Sequence, residues 1–318
     1  MAQIGHNSEL AAQLLRQGKL VAIPTETVYG LAANGLNEKA ILSVFEAKQR
    51  PFFDPLILHV PSLEAAKTYA TFNDKPLLQL AEHFWPGPLT ILLPKNVLVS
   101  ALITSGLERV ALRVPQHPLT LQLLQGLDFP LAAPSANPFG YVSPTRAEHV
   151  NKQLGDKIDY ILDGGPCQVG LESTIVGIED NKLCIYRLGG LALEEIVKVA
   201  GPYELRINNS SDPKAPGQLK NHYAPKKPLF VGDLIELIKE HPSKKTALIT
   251  FGETDFAKDS LLVFNLSPTK NLQEAALNLF NFLRQADESE ADVVLCSKLP
   301  ESGLGLAIND RLRRASVQ

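Results

Sequence analysis

Along residues 1–206 the apolar positions alternate between two periods. Leu10, Leu14 and Leu15 fall at helical spacing behind Ser8, which predicts a helix over 8–17 with Ser8 as its N-cap and Gly18 as its stop. Strand-length apolar runs follow at 20–23, 56–60, 89–93, 110–114, 131–134 and 158–163, and 173–178 with 183–187 reads as a strand pair. Helical patterns between them cover 37–47, 63–69, 76–84, 119–125 and 193–199. Residues 207–228 lose all periodicity and fill with Asn, Ser, Lys, Pro and Gly, the composition of a linker. Order resumes with a helix at 234–240, strands at 246–251, 261–266 and 291–296, and an amphipathic helix at 271–285. That helix carries Leu272, Ala275, Ala276, Leu279 and Leu283 on one face. Gly303-Leu304-Gly305 then opens a last helix that ends near Arg314. The pattern predicts an α/β protein divided as 1–206, a linker or lid at 207–228, and a small α/β unit at 229–318.

Composition narrows the class. The 318 residues are 45% hydrophobic and 20% charged, enough for full-sized cores and unlike a disordered chain. No apolar run nears the roughly 18 residues of a membrane helix, and the first ten residues show no secretory pattern. Three scattered cysteines form no CxxC, and seven histidines form no HxH or HxxxH. A reduced cytosolic setting without a dedicated metal cage is expected. Net charge is −3, with 17 Lys+Arg against 20 Asp+Glu in residues 1–206 and 14 of each afterwards. An anion site must therefore come from the placement of a few cations, not from a global field.

Several short stretches carry candidate chemistry. Lys48-Gln49-Arg50-Pro51 puts two cations at a helix end, suited to phosphate oxygens or simply to the helix dipole. Thr25-Glu26-Thr27 follows an apolar strand, where open α/β sheets bind ligands, and Gly30 permits close backbone approach. His59 sits in an apolar strand, the usual place of a core histidine. Arg109 and Arg113, four apart on a strand, share a face and need an anion, either an internal carboxylate or a substrate group. The run from Ala132 through Pro134, Ser135 and Asn137 to Gly140, followed by Ser143, suits a binding loop better than a core. Glu172-Ser173-Thr174 and Arg187 offer hydroxyl and cation on neighbouring strands. His222-Tyr223 lies among lysines in the linker, which carries no acid between Asp212 and Asp233.

Taken in this order and at these spacings, the motifs resemble the YrdC-like family, and the second unit makes the chain similar to its longer, two-domain form. The resemblance spans essentially the whole chain and rests on residues 24–31, 48–51, 85–90, 134–137, 172–176 and 222–225. It implies a YrdC-like twisted mixed sheet with helices, plus a smaller Rossmann-like α/β domain after the linker. It further implies an enzyme that joins L-threonine, bicarbonate and ATP, with Mg²⁺, into threonylcarbamoyl-adenylate and releases pyrophosphate. A partner transferase complex would pass the group to adenosine in tRNAs that read ANN codons; no membrane is involved.

By the same resemblance, Thr27, His59, Arg113, Ala133 and Ser173 are expected to contact threonine. Arg50, Asp54, Arg109, Ser135, Ser143, Arg187 and Tyr223 are expected at ATP, with Lys48 facing the phosphates beside Arg50 as the catalytic pair. Two departures stand out. Position 54 is Asp where relatives carry Asn, an acid that would repel phosphate or help hold Mg²⁺, and the linker is less basic than usual just before His222.

No activated nucleophile is visible, so catalysis is expected to be positioning and charge stabilisation, with the linker as a gate that excludes water. Two other readings fit parts of the chain: an RNA-binding module without chemistry of its own, and a related carbamoyl-adenylate enzyme fed by carbamoyl phosphate. The near-neutral charge argues against the first, and the lack of zinc-finger and acylphosphatase-like parts against the second.

Overall fold

The computed structural model describes residues 1–207, 215, 223–253 and 261–316. Eleven strands form one mixed sheet in the order β1-β8-β2-β3-β7-β4-β6-β5-β9-β10-β11. Its strands are β1 (Gln3–Gly5), β2 (Val21–Ile23), β3 (Gly30–Asn34), β4 (Ile57–His59), β5 (Leu89–Pro94) and β6 (Arg109–Arg113). They continue with β7 (Leu131–Ala132), β8 (Tyr160–Leu162), β9 (Thr174–Glu179), β10 (Lys182–Arg187) and β11 (Leu205–Ile207). Helices α1 (Ser8–Arg16) to α8 (Leu193–Ala200) connect and cover them. A second sheet, all parallel, runs β12-β15-β13-β14 from β12 (Leu229–Gly232), β13 (Thr246–Thr250), β14 (Leu261–Asn265) and β15 (Val293–Ser297). Helices α9 (Leu234–Glu240), α10 (Leu272–Glu288) and α11 (Leu304–Ala315) pack on it. No helix among the described residues is long and apolar enough to cross a membrane.

The expected periodicities explain most elements, and the differences have local causes. Asn7, not Ser8, caps α1, because its side-chain oxygen accepts from the backbone N–H of both Glu9 and Leu10 at 3.0 Å. The helix predicted at 63–69 closes after one turn at α3 (Leu63–Ala66). The short elements β1, β12 and α5 (Ala101–Thr104) and the polar α7 (Ala147–Leu154) carry too little pattern to be read from sequence. Most of the expected linker, 208–214 and 216–222, lies outside the described residues, His222 included.

The core does not respect the linker. Ala275, Ala276, Leu279, Phe280 and Leu283 of α10 are fully buried, each large side chain worth about 1.5–3 kcal/mol on leaving water. They pack in one cluster with Val28, Val142 and Leu171 of the first unit and with Tyr223. The amphipathic face predicted for 271–285 thus covers its own sheet and also the back of the polar turn after β2.

Candidate active site

Strand ends build the site. β4 and β6 are parallel neighbours with His59 and Arg113 in register, so both side chains leave the sheet at its carboxyl edge. Ala133 N–H continues the ladder to Ile57 at 3.0 Å, which carries the chain into Pro134 and Ser135 beside them. Ser173 precedes β9, and Arg187 ends β10 beyond a register shift that re-aims it. Gly30 meets Ser135 in an isolated bridge, and a Cβ there would sit 3.3 Å from the Ala133 Cβ. Gly189 is stricter: a Cβ would lie 2.3 Å from the Glu172 carbonyl oxygen, so glycine there allows the Glu172–Thr174 backbone to pass.

These ends enclose a cavity of about 50 Å³. Thr27, Arg50, His59, Arg113, Ala133, Ser135, Ser173, Arg187 and Tyr223 line it, together with Thr25, Val28, Gly30, Ile57, Pro134 and Glu172. Nine of the expected contact residues therefore share one wall-to-wall space.

Each charged member has a defined partner. Arg113 Nη2 lies 2.7 Å from Glu26 Oε1, and its Nε donates to the Gly87 carbonyl. The internal carboxylate and the cavity both claim this arginine. Arg187 donates through Nε and Nη2 to the Ser173 carbonyl and through Nη2 to its hydroxyl at 3.0 Å, while Ser173 Oγ is also 2.7 Å from Thr90 Oγ1. Burial draws the Arg187 pKa down to about 10, against the opposing pull of Tyr223 and Glu172, so it stays charged at neutral pH. His59 is buried, and its Nδ1 has no hydrogen-bond partner. Burial first, then the charge of Arg113, push it down to about 3, so it is neutral.

Four expected contacts lie off the cavity lining. Lys48 is buried, and its Nζ donates to the carbonyl of Ser135 and, at 2.5 Å, of Asn137, while its own carbonyl accepts from Phe139 N–H at 2.9 Å. It braces the small-residue loop and does not line the cavity. An interior location consumes the ammonium in carbonyl contacts, and burial with the nearby Arg50 charge lowers its pKa. Asp54 is also fully buried, 2.8 Å from Arg50 Nη2, and holds that arginine instead of facing the ligand space. Ser143 is turned away: its hydroxyl donates to Glu172 Oε1 at 2.6 Å. Arg109 donates to the Tyr186 hydroxyl at 3.1 Å, four residues and about 13 Å along β6 from Arg113 on the same face.

Two partners escaped the sequence reading. Glu26 was visible only as part of a polar turn, and Arg311, on the last helix, gave no motif. Arg311 Nε nevertheless donates to Glu172 Oε2 at 3.0 Å, and its guanidinium carbon stands 4.9 Å from the Tyr223 ring centre.

Comparison with known proteins places this geometry. Residues 13–189 match the Sua5–YciO–YrdC family, described as telomere recombination, and residues 191–317 match the C-terminal domain of threonylcarbamoyl-AMP synthase. A threonylcarbamoyl-AMP synthase of Pyrococcus abyssi is 43% identical over 96% of this chain and 93% of its own length. The chain belongs to the threonylcarbamoyl-AMP synthase family. The Bacillus subtilis member is 38% identical, with 96% of this chain and 92% of that protein covered. The crystal structure of P. abyssi Sua5 complexed with L-threonine superposes with a TM-score of 0.91 at 40% identity, covering 99% of this chain and 97% of that one. Escherichia coli YciO, at 20% identity and a TM-score of 0.52 over 59% of this chain, shares the fold. As a family member this chain is an enzyme, and both of its units fall within the family pattern.

Proposed function

We propose that this chain is a nucleotidyltransferase that makes threonylcarbamoyl-AMP from L-threonine, bicarbonate and ATP. The observation that carries the reading is the cavity itself, where Arg50, Arg113 and Arg187 converge with Thr27, His59, Ser173 and Tyr223. Arg113, oriented by Glu26, takes the threonine carboxylate. Neutral His59 and the hydroxyls of Thr27 and Ser173 offer hydrogen bonds to the amine and side-chain hydroxyl, which rejects analogues lacking them. The amine adds to CO₂ with loss of a proton, or to bicarbonate with loss of water, and a carbamate oxygen then attacks the α-phosphorus of ATP as the bond to pyrophosphate breaks. Arg50 and Arg187 hold the phosphate charge. No covalent enzyme intermediate is needed, and the residues act by position and charge.

Mg²⁺ enters with ATP as part of the substrate. Among the described residues no three His, Cys, Asp or Glu side chains converge on an ion site, and Asp54 and Glu172 already serve Arg50 and Arg311. Movement of the Tyr223 wall, which lines the cavity, would admit the nucleotide. Its return would protect the mixed anhydride from water. A separate transferase complex then carries the threonylcarbamoyl group to adenosine of ANN-reading tRNAs. A cytosolic setting suits the buried, unbridged Cys167, Cys184 and Cys296.

The test is mass spectrometry of the protein mixed with L-threonine, bicarbonate, Mg²⁺ and ATP, without RNA. Threonylcarbamoyl-AMP and pyrophosphate should appear, each dependent on threonine. Absence of both, with RNA retained on the protein, would favour the RNA-binding alternative.

A further inference from the structure

Two arginines of the second unit are buried where it meets the first. Arg284 on α10 donates to the carbonyls of Val142 and Ser143 and to Gln153, with its guanidinium 5.2 Å from the Tyr141 ring centre. Arg311 on α11 is fully buried and engages three nitrogens: Nε on Glu172, Nη1 on Asp310 at 2.9 Å, and Nη2 on the Leu188 carbonyl at 2.6 Å. The two look alike, yet they touch different things. Neither Tyr141, Val142, Ser143 nor Gln153 lines the cavity, whereas Glu172 and Tyr223 both do. Leu188, moreover, directly follows Arg187.

The arrangement also sorts charge. Glu172 Oε1 accepts from Ser143 and Oε2 from Arg311, so both oxygens of this buried carboxylate already have hydrogen-bond donors other than Arg187. Arg187 in turn spends its Nε and Nη2 on Ser173, not on the carboxylate. Asp310 pre-orients the fork of Arg311 from its own helix and is itself braced by Arg313 and Arg314.

We propose that Arg311 is a positioning residue for nucleotide binding: by holding Glu172 and the Tyr223 ring, the second unit keeps Arg187 available for phosphate. The inference rests on the nucleotide reading of the cavity given above. Without Arg311, Glu172 would be an uncompensated buried carboxylate, and Arg187 is the cation left to neutralise it. An Arg187 fork turned onto Glu172 leaves the Ser173 position from which it faces the cavity.

Calorimetric titration of the full chain with Mg·ATP and, separately, with L-threonine tests this. Arg311→Met should raise the ATP dissociation constant about tenfold or more, the range seen when a partner behind a ligating side chain is removed. The threonine constant should move less than about twofold, because Arg113 is held by Glu26. Adding Glu172→Gln to Arg311→Met should recover much of the ATP affinity, since a neutral amide does not capture Arg187. A merely structural arginine predicts the opposite, with the double variant worse than the single one. Equal weakening of both ligands, or no recovery in the double variant, overturns the proposal. If Arg311→Met fails to fold, Arg311→Gln, which removes the charge but keeps a hydrogen-bonding amide, is read by the same criteria. Wild-type protein that binds neither ATP nor threonine would instead overturn the assigned function.

Discussion

Arg113 and Arg187 of the first unit, and Arg284 and Arg311 of the second, are all buried arginines, but they arrive there differently. The first pair stands at the ends of β6 and β10, where backbone register aims each side chain into the space between strands. The second pair projects from helices of the smaller unit and reaches carbonyls, a carboxylate and tyrosine rings belonging to residues 141–223. Strand ends supply the cavity-lining arginines of the first pair; helices of the second unit hold residues packed behind them. The lesson is that burial alone does not mark a functional arginine. What it touches, and whether that neighbour lines the cavity, separates the roles.

The largest expected effect breaks the strand-end side. Arg50→Ala should cut threonine-dependent pyrophosphate release by about a hundredfold or more, the cost of losing one donor to developing charge. It should not leave the fold untouched, because fully buried Asp54 then loses its only ion-pair partner among the described residues. Removing one member of such a pair costs about 3–5 kcal/mol. Asp54→Asn in the same chain should restore the melting temperature without restoring turnover. Recovery of both would show Arg50 to be structural.

The next effect sharpens the contrast within the second unit. Arg284→Met strips donors from the Val142 and Ser143 carbonyls, so urea unfolding should report a loss of about 1–3 kcal/mol. The ATP constant should rise less than in Arg311→Met. A rise as large from both variants would erase the distinction between interface and positioning roles.

The smallest effect is a slope. His59 is neutral in the fold because its pKa falls to about 3, while in the unfolded chain it titrates near about 6.5. Between those values only the unfolded state takes up the proton. Its contribution to stability is therefore complete above about pH 6.5 and is lost as pH falls toward 3. His59→Gln should flatten the stability profile there by up to about 1.4 kcal/mol per pH unit. Unfolding curves at pH 5 and pH 7 suffice, and an unchanged difference between them would place His59 in a wetter setting than the cavity.

Much of the large unit was legible because its chemistry is local. A strand followed by Thr25-Glu26-Thr27, a helix ending at Lys48, and Gly30 beside a small-residue run announce themselves by spacing, and nine expected residues do meet in one cavity. What spacing could not say was direction. Lys48, Asp54 and Ser143 lie within eight residues of the cavity lining yet do not face it, because the carbonyls of Ser135 and Asn137, Arg50 and Glu172 offer partners that desolvated polar groups require.

The amino-acid order alone determined most of the longer strands and helices, where periodicity stops near residue 207, and which polar residues sit at strand ends, because all of these follow from the period of nearby side chains. Tertiary structure decided the rest. Glu26 meets Arg113 across 87 positions, and Arg311 meets Glu172 across 139. Pairings over such distances depend on how sheets and helices pack in three dimensions, and no local period encodes them.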